Sequence, residues 1–163
     1  MDEYIKLITA LKERSLTIAT AESCTGGLIA KLLTDIAGAS EVFIGGVVCY
    51  SNEMKMKWLG VKQQTLDQHG AVSHNTVAEL LDGIVRQTGA DCAIAVSGIA
   101  GPTGGTPEKP IGTVFIGVSW NDQILIEQYH FKGSRQEIRD QAARQAAILM
   151  FDLLKRQIAS TDH

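Results

Sequence analysis

The sequence predicts an α/β protein in which one mixed β-sheet lies between two layers of helices, a three-layer α/β/α sandwich. Segments with helical spacing of apolar residues alternate with short β-branched segments along most of the chain. Residues 92–96 are apolar on both faces, as expected of a central strand covered by helices on each side. Near the end, two strand-like segments are joined by Asn121 and Asp122, a pair suited to a tight hairpin turn. The hairpin makes the expected sheet mixed.

The bulk properties indicate one soluble domain, which we expect to span residues 1–163. The composition is 45% hydrophobic and 20% charged, which is typical of globular proteins. The net charge is −3 and no basic run occurs, so we expect no nucleic-acid partner. The three cysteines are odd in number and widely spaced, which fits free thiols in a reducing compartment. Without an apolar signal or membrane-spanning stretch, we expect a cytoplasmic protein with no membrane partner.

In the first half of the chain, apolar periodicity predicts each element in turn. Ile5, Ile8 and Leu11 recur at helical spacing, the next segment is β-branched, and after a loop the helical spacing returns until Gly38 supplies a stop. A second strand then runs into a short helix that carries Lys55. The predicted elements are a helix at residues 2–14, a strand at 16–20, a loop at 21–27, a helix at 28–38, a strand at 42–50 and a helix at 52–59.

In the second half, a polar stretch between Gly60 and Gly70 precedes an amphipathic helix. Ser73 or Thr76 can cap this helix, and Thr76 has Glu79 three residues later, as in a capping box. A capping-box sequence at residues 134–137 opens the last helix, which is expected to bury the apolar residues Ile138, Ala142, Ala146, Leu149 and Leu153. The other predicted elements are a helix at 77–85, a strand at 92–96, a loop at 97–110 and strands at 111–120 and 124–131.

The loop at residues 21–27 contains the first candidate for chemistry. Ligands of such sheets bind where loops leave the carboxyl ends of strands. A helix start after this loop would present unpaired N–H groups and a positive dipole end. Ser23 is then a candidate nucleophile held against an oxyanion hole made from those amides. The alternative is that Ser23 or Thr25 only caps the helix.

The second unusual loop, residues 97–110, is dense in glycine and contains all three prolines. It has neither the Gly-Lys-Ser/Thr ending of a P-loop nor a G-x-G-x-x-G motif, so neither ATP nor NAD binding follows. Successive N–H groups suit a phosphate or another anion, although the loop can equally be a flexible surface segment. Arg135 opposes the dipole of the last helix by about 0.3–1 kcal/mol, and Arg139 shares its face. An anionic ligand would compensate, as would solvation and Glu137.

A nucleophilic serine needs a base, and histidine is the usual one. The four histidines fall outside both loops: they are His69, His74, His130 and His163. Lys55 follows a predicted strand, and partial burial there would leave its amine neutral enough to accept a proton. The alternative is an ordinary solvated lysine.

Five motifs, in order and with their spacing, resemble a single family. They are residues 20–27 (TAESCTGG), 45–55 (GGVVCYSNEMK), 59–61 (LGV), 70–73 (GAVS) and 97–105 (SGIAGPTGG). The family is that of the nicotinamide mononucleotide deamidases, also known as the CinA C-terminal domain. The resemblance extends from about residue 5 to residue 155.

The resemblance implies an α/β/α fold, usually a homodimer, that hydrolyses nicotinamide mononucleotide to nicotinate mononucleotide and ammonia for return to NAD synthesis. No metal or other cofactor is implied. Carried onto this chain, the pattern makes Ser23 the nucleophile and Lys55 the base, with Tyr50 as their neighbour. The residues expected to bind substrate lie in the two loops and the last helix: Thr25, Gly26, Gly27, Gly98, Ile99, Ala100, Gly101, Gly104, Gly105, Thr106, Arg135 and Arg139.

Relatives of this family also occur fused behind a nucleotide pyrophosphatase-like domain. A chain of 163 residues has no room for it, so we expect the stand-alone form without that activity. Two rival interpretations stay open. A non-catalytic nucleotide-binding module should have lost Ser23 or Lys55, and both are present. A cysteine hydrolase using Cys24 would be inactivated by thiol alkylation.

Overall fold

The computed structural model describes the backbone of residues 1–161 and the side chains of residues 1–156. Helices and strands alternate along this part of the chain. In order they are α1 (Asp2–Glu13), β1 (Ile18–Glu22), α2 (Leu28–Thr34), β2 (Phe43–Val48), α3 (Asn52–Leu59), α4 (Gln63–His69), α5 (His74–Thr88), β3 (Cys92–Gly98), β4 (Thr113–Trp120), β5 (Gln123–His130) and α6 (Arg135–Thr161), with a short 3-10 turn at Ala39–Glu41.

The five strands form one mixed sheet in the order β2-β1-β3-β4-β5. β2, β1 and β3 are parallel, and β4 and β5 are antiparallel. One face packs against α1, α2 and α6 in a large apolar cluster, and the other packs against α3, α4 and α5 in a smaller one. The predicted α/β/α sandwich with a mixed sheet is therefore confirmed.

The central strand β3 shows why its residues are apolar on both faces. Ile94 and Val96 enter the cluster of α1, α2 and α6, whereas Ala93 and Ala95 enter the cluster of α5. All four side chains are fully buried. Side chains alternate between the faces of a strand, so a strand covered on both sides carries no polar alternation.

Two predicted local features, a hairpin turn and a helix capping box, are confirmed in their details. Asn121 and Asp122 adopt positive φ values of 52° and 65°, as a two-residue hairpin between twisted strands requires. At the start of α6, the N–H of Glu137 donates to Ser134 Oγ at 3.2 Å, and the N–H of Ser134 donates to Glu137 Oε1 at 3.1 Å. This is the reciprocal pattern of a capping box.

The region between Gly60 and Gly70 differs from its prediction as a polar stretch, because it contains α4. Leu66 is the one residue of α4 that is buried, so no apolar periodicity marks this helix. The predicted pairing of Thr76 with Glu79 is also wrong. Ser73 caps α5 by accepting from the N–H of Thr76 at 3.1 Å, and Glu79 Oε1 instead accepts from the N–H of Lys62 at 2.9 Å.

The edge strand β2 approaches β1 closely at Gly46. Gly46 pairs with Thr20, and a Cβ on Gly46 would overlap Thr20 Oγ1. Thr20 is fully buried. Among the described side chains, Thr20 Oγ1 is the polar atom that is wholly shielded from solvent and makes no hydrogen bond. This hydroxyl lies on the sheet face covered by α2, since it alternates with Ala19 and Ala21.

Candidate functional site

The candidate site lies at the carboxyl ends of the three parallel strands. β1 lies between β2 and β3, so the chain forms β2 on one side of β1 and then crosses to the other side to form β3. In open α/β sheets, ligands bind at such a reversal of strand order. A cavity of about 180 Å³ opens there. It is lined by Ser23, Cys24, Tyr50, Asn52, Lys55, Ala71, Val72, Ser97, Gly98, Ala100 and Arg135.

Ser23 and Lys55 meet at the base of this cavity. Lys55 Nζ lies 3.0 Å from Ser23 Oγ and donates to the carbonyl of Tyr50, also at 3.0 Å. Ser23 directly follows β1, and Lys55 lies in the first turn of α3, which Ser51 caps by accepting from the N–H of Met54 at 3.1 Å. Both side chains are buried: Ser23 is 7% exposed and Lys55 is 1% exposed. The predicted nucleophile and base are thus in direct contact.

Burial lowers the pKa of Lys55 below the ordinary lysine value. Within the described side chains, no carboxylate forms an ion pair with it. Its ionisable neighbours are the thiols of Cys49 and Cys24, and burial raises the pKa of both, that of Cys24 to about 12. Both thiols are therefore uncharged at neutral pH, so no thiolate offsets the burial of the amine. This environment favours a neutral lysine that can accept a proton.

Ser23 does not cap the following helix. α2 begins after Gly27 without a side-chain cap from the loop, and its start is held by the buried carboxylate of Glu22. This carboxylate accepts from the N–H of Ile29 at 2.9 Å, from the N–H of Ala30 at 3.0 Å and from Thr25 Oγ1 at 2.7 Å. The expectation that these helical N–H groups would face a ligand is therefore wrong, because an anionic side chain already occupies the helix terminus.

Two backbone N–H groups next to the nucleophile make no hydrogen bond within the described residues, and of their two residues Cys24 lines the cavity. In the part of the chain that the structure describes, the N–H groups of Cys24 and Thr25 have no hydrogen-bond acceptor. The next amide, that of Gly26, is used locally and donates to the carbonyl of Ser23 at 3.0 Å. Gly26 and Gly27 both have positive φ, 59° and 99°, and so turn the chain from β1 into α2.

The two arginines of α6 have different uses. Arg135 donates from Nη1 to the carbonyl of Gly101 at 2.8 Å and from Nη2 to Tyr50 Oη at 3.0 Å, which bridges the cavity mouth. Arg139 donates from Nε to the carbonyl of Cys24 at 3.0 Å and from Nη2 to that of Thr25 at 3.1 Å. Arg139 therefore holds the nucleophile loop in place, whereas Arg135 lies where a ligand enters. A phosphate contact by either arginine stays a prediction.

The two halves of the glycine-rich loop at residues 97–110 also differ in their positions relative to the cavity. Gly98 and Ala100 line the cavity, but the N–H of Ile99 is used by the carbonyl of Thr113 at 2.9 Å. A side chain at position 98 would lie 2.6 Å from Val114 Cγ2, so glycine is required there. The second half of the loop, with Gly104, Gly105 and Thr106, is exposed and lies outside the cavity lining. Thr106 Oγ1 accepts from the N–H of Lys109 at 3.0 Å.

Sequence reasoning missed four residues that line the cavity: Asn52, Ala71, Val72 and Ser97. Ser97 could have been found by extending the predicted strand 92–96 and counting alternate positions. Ala71 and Val72 lie in the motif at residues 70–73, which was the available signal for them, although their position at the cavity depends on the packing of α4 and α5. Within the described residues, no three His, Cys, Asp or Glu side chains are grouped as a metal site requires.

Fold and site together define a three-layer α/β domain with a buried serine–lysine pair at the carboxyl ends of its parallel strands. A family model of the CinA C-terminal domain matches residues 4–154. The chain therefore belongs to the CinA C-terminal domain family, which confirms the resemblance found in its motifs.

Similar proteins occur in several bacteria. A CinA-like protein of Thermotoga maritima is 51% identical over 146 residues, which are 90% of this chain and 35% of that protein. A CinA-like protein of Leptospira borgpetersenii is 46% identical over 156 residues, which are 95% of this chain and 37% of that protein. The chain thus spans about a third of the length of these curated relatives.

Solved structures share the fold over almost their whole length. The competence/damage inducible protein CihA from Agrobacterium tumefaciens superposes with a TM-score of 0.91 at 39% identity, covering 94% of both chains. A CinA superfamily protein from Klebsiella pneumoniae superposes with a TM-score of 0.92 at 37% identity, covering 95% of this chain and 97% of that one. None of the helices in residues 1–161 has the combined length and apolar character that crossing a bilayer requires.

Proposed function

We propose that this protein is an amidase that hydrolyses nicotinamide mononucleotide to nicotinate mononucleotide and ammonia, and so recycles pyridine nucleotide. The observation that carries the proposal is the 3.0 Å contact between Lys55 Nζ and Ser23 Oγ in a buried cavity. An amide is a poor electrophile, so its hydrolysis needs a deprotonated nucleophile, a stabilised oxyanion and a protonated leaving amine. The residues around this contact can supply all three.

In the first half of the reaction, Ser23 Oγ attacks the carboxamide carbon and its proton passes to neutral Lys55. The carbonyl oxygen becomes an oxyanion, which the free N–H groups of Cys24 and Thr25 stabilise. Lys55, now protonated, returns the proton to the amide nitrogen. The C–N bond breaks, ammonia leaves, and the nicotinoyl group remains bonded to Ser23.

In the second half, a water molecule takes the place of ammonia. Lys55, again neutral, accepts a proton from the water as its oxygen attacks the acyl carbon. When the second tetrahedral intermediate collapses, Ser23 Oγ leaves and regains the proton from Lys55. The products are nicotinate mononucleotide and the original enzyme, and the reaction consumes one water molecule.

The size and charge of the site support a pyridine nucleotide as substrate. A cavity of about 180 Å³ suits the carboxamide-bearing ring better than the whole nucleotide. The ribose and phosphate would then extend past Tyr50, which is 60% exposed, towards the guanidinium of Arg135. The positive charge of the pyridinium ring withdraws electrons from the amide carbon and opposes protonation of Lys55, so it favours attack in two ways.

The rival cysteine mechanism has weaker support. Cys24 is 6% exposed and packs in the apolar cluster of α1, α2 and α6. Its pKa of about 12 leaves almost no thiolate at neutral pH, and the thiolate is the reactive form. Ser23 has the lysine contact that activation requires. The serine mechanism is therefore the one that the geometry favours.

The decisive experiment incubates the purified protein with nicotinamide mononucleotide and measures ammonia and nicotinate mononucleotide. Equal amounts of both products are expected from the wild type and none from Ser23→Ala. If the wild type binds the nucleotide without releasing ammonia, the protein is a non-catalytic binding module and the proposal is wrong.

We also propose that the protein works in the cytoplasm as a homodimer, with the nucleotide as its ligand and with no nucleic-acid or membrane partner. Sedimentation equilibrium of the purified chain tests the dimer. A single monomeric species across the micromolar range would remove it from the proposal.

A further inference from the structure

Ser97 brings a second hydroxyl to the cavity, and the mechanism above does not use it. Ser97 is 1% exposed and lines the cavity. Within the described part of the chain its hydroxyl makes no hydrogen bond to another residue, and its oxygen is not among the wholly shielded atoms. Thr20 and the nucleophile apart, the other buried hydroxyls of the described residues donate to carboxylate or carbonyl oxygens. They are those of Tyr4, Thr25, Ser73, Thr76 and Thr113. Unlike Thr20 Oγ1, the Ser97 hydroxyl is not wholly shielded, so it is open to the cavity and available to a ligand.

The strand register places Ser97 beside the nucleophile. Glu22 pairs with Val96, and the N–H of Ser23 continues this ladder by donating to the carbonyl of Val96 at 3.0 Å. Extending the register by one residue sets Ser23 next to Ser97, on neighbouring strands about 4.8 Å apart. Alternation along β3 puts Ser97 on the same face as Ala93 and Ala95, which is the face covered by α3 and α5. Lys55 of α3 approaches Ser23 from this face.

The cavity offers few other acceptors for an amide nitrogen. A primary carboxamide buried against Ser23 carries two N–H donors, and buried donors require acceptors. Most of the neighbouring lining residues, Cys24, Ala71, Val72, Gly98 and Ala100, have no oxygen in their side chains. Ser23 Oγ is consumed as the nucleophile, and the carbonyl of Tyr50 already accepts from Lys55. Asn52 and Ser97 are the lining side chains whose oxygens remain, and the strand register places Ser97 beside the nucleophile.

We propose that Ser97 is a specificity-determining residue whose Oγ accepts a hydrogen bond from the carboxamide nitrogen of the substrate. The inference rests on the proposed amidase function and deepens it, because it assigns the selection of primary amides to one side chain. With one N–H held by Ser97, the nitrogen keeps a fixed orientation while Lys55 donates the proton that allows ammonia to leave. An ester has no N–H that Ser97 Oγ could accept, so we expect Ser97 to favour the amide.

The test compares an amide with an ester in wild type and Ser97→Ala. The substrates are nicotinamide mononucleotide and the methyl ester of nicotinate mononucleotide. We expect Ser97→Ala to lower kcat/KM about ten- to a hundredfold on the amide, as the loss of a buried hydrogen bond predicts, and to change it less than about threefold on the ester. Equal losses on both substrates would mean that Ser97 only supports the structure, and would overturn the assignment.

Thr20→Val is the matched control. It also removes a hydroxyl that makes no hydrogen bond, but one that is wholly shielded, lies outside the cavity and is on the opposite face of the sheet. We expect it to leave the amide-to-ester ratio unchanged, and its melting temperature and that of Ser97→Ala show whether each variant is folded. A change of ratio in Thr20→Val as large as in Ser97→Ala would contradict a specific role for Ser97.

A binding measurement separates failure of this inference from failure of the proposed function. Calorimetric titration of Ser23→Ala and of Ser23→Ala/Ser97→Ala with the same amide and ester needs no turnover. We expect the second substitution to weaken amide binding about tenfold and to leave ester binding unchanged. If wild type releases no ammonia but this difference appears, the amidase is wrong and Ser97 still recognises the amide. Unchanged amide affinity, or no amide binding, overturns the role of Ser97.

Discussion

Lys55 reaches Ser23 across 32 positions of sequence, and its amine lies 3.0 Å from the serine hydroxyl without a charged partner in the described part of the chain. A lysine that is paired with a carboxylate stays protonated and serves as a point charge. A buried lysine without one is driven towards its neutral form. The contact therefore has the character of a base and its nucleophile rather than that of a structural ion pair.

Replacement of the nucleophile gives the first prediction. Ser23→Ala removes the oxygen that attacks the amide, so we expect amide hydrolysis to fall by at least about 10³-fold while the fold is retained. Ammonia release and the melting temperature check the two parts. Cys24→Ala is the comparison, since its thiol is protonated and packed, and we expect it to keep most of the activity. The opposite order of activities would identify Cys24 as the nucleophile.

The pH dependence of catalysis follows from the lowered pKa of Lys55. The base works when it is neutral, so kcat/KM should rise with pH through an ionisation below the value of about 10.4 for free lysine. Lys55→Met should lose this ionisation and most of the rate. Lys55→Arg should not restore activity, because a guanidinium stays protonated. A Lys55→Met enzyme with the wild-type profile would show that another group is the base.

The same lowered pKa has a cost in stability. The unfolded chain binds the Lys55 proton below pH about 10.4, and the folded chain binds it only at lower pH. Between these pKa values the unfolded state holds more protons, so the free energy of unfolding rises with pH. We expect Lys55→Met to be more stable than wild type at pH 7, by a margin that shrinks towards pH about 10. Urea denaturation at both pH values measures it.

Lys57→Met is the control for that stability measurement. Lys57 lies two residues further along α3 and is exposed. We expect Lys57→Met to gain less stability at pH 7 than Lys55→Met, because the side chain of Lys57 is exposed rather than buried. A gain as large as that of Lys55→Met would attribute the effect to general hydrophobic substitution on the helix.

Glu22 provides a prediction about the support of the nucleophile loop. Its buried carboxylate accepts three hydrogen bonds, from Thr25, Ile29 and Ala30. Glu22→Gln replaces one acceptor oxygen by an N–H₂ group that faces N–H donors, so we expect a loss of about 1.5–3 kcal/mol in the free energy of unfolding. Urea unfolding at pH 7 measures the loss. Glu79→Gln, which affects a single exposed bond to Lys62, should cost much less.

Arg135 gives the prediction for phosphate recognition. Nicotinamide riboside lacks the phosphate, and we expect its kcat/KM to be lower by about 10²-fold, since a charge-assisted hydrogen bond contributes about 1.5–3 kcal/mol. Arg135→Ala should lower the rate on the nucleotide and affect the riboside little. Tyr50→Phe removes only the Oη that accepts from Arg135 and should change the ratio less. An unchanged ratio in Arg135→Ala would place the phosphate elsewhere.

The parts of the fold that the sequence predicted are those set by local patterns. Residues close together in the sequence determine these patterns. They are the apolar stripes of the helices, the hairpin at Asn121 and Asp122 and the capping box at Ser134. The helix α4 was missed because Leu66 is its one buried residue, and a single apolar residue shows no helical periodicity. Its position depends on packing against α5, which no local pattern records.

The candidate site was likewise predicted only in part. Motifs identified Ser23 and Lys55, and the structure brings them into contact. The use of Glu22 as the cap of α2 was not predicted, because a strand residue seven positions before Ile29 lies outside the usual capping position. The position of Arg139 on the nucleophile loop was not predictable either, since it depends on how α6 docks.

The docking of α6 has a consequence for the order in which the protein becomes competent. Arg139 bonds the carbonyls of Cys24 and Thr25, residues that precede it by 115 and 114 positions. Such contacts form late in folding, because a long loop must close before they contribute. A chain still emerging from the ribosome with only its first strands paired would hold Ser23 in an unsupported turn. We therefore expect the ability to react to arise only once α6 has docked on the nucleophile loop.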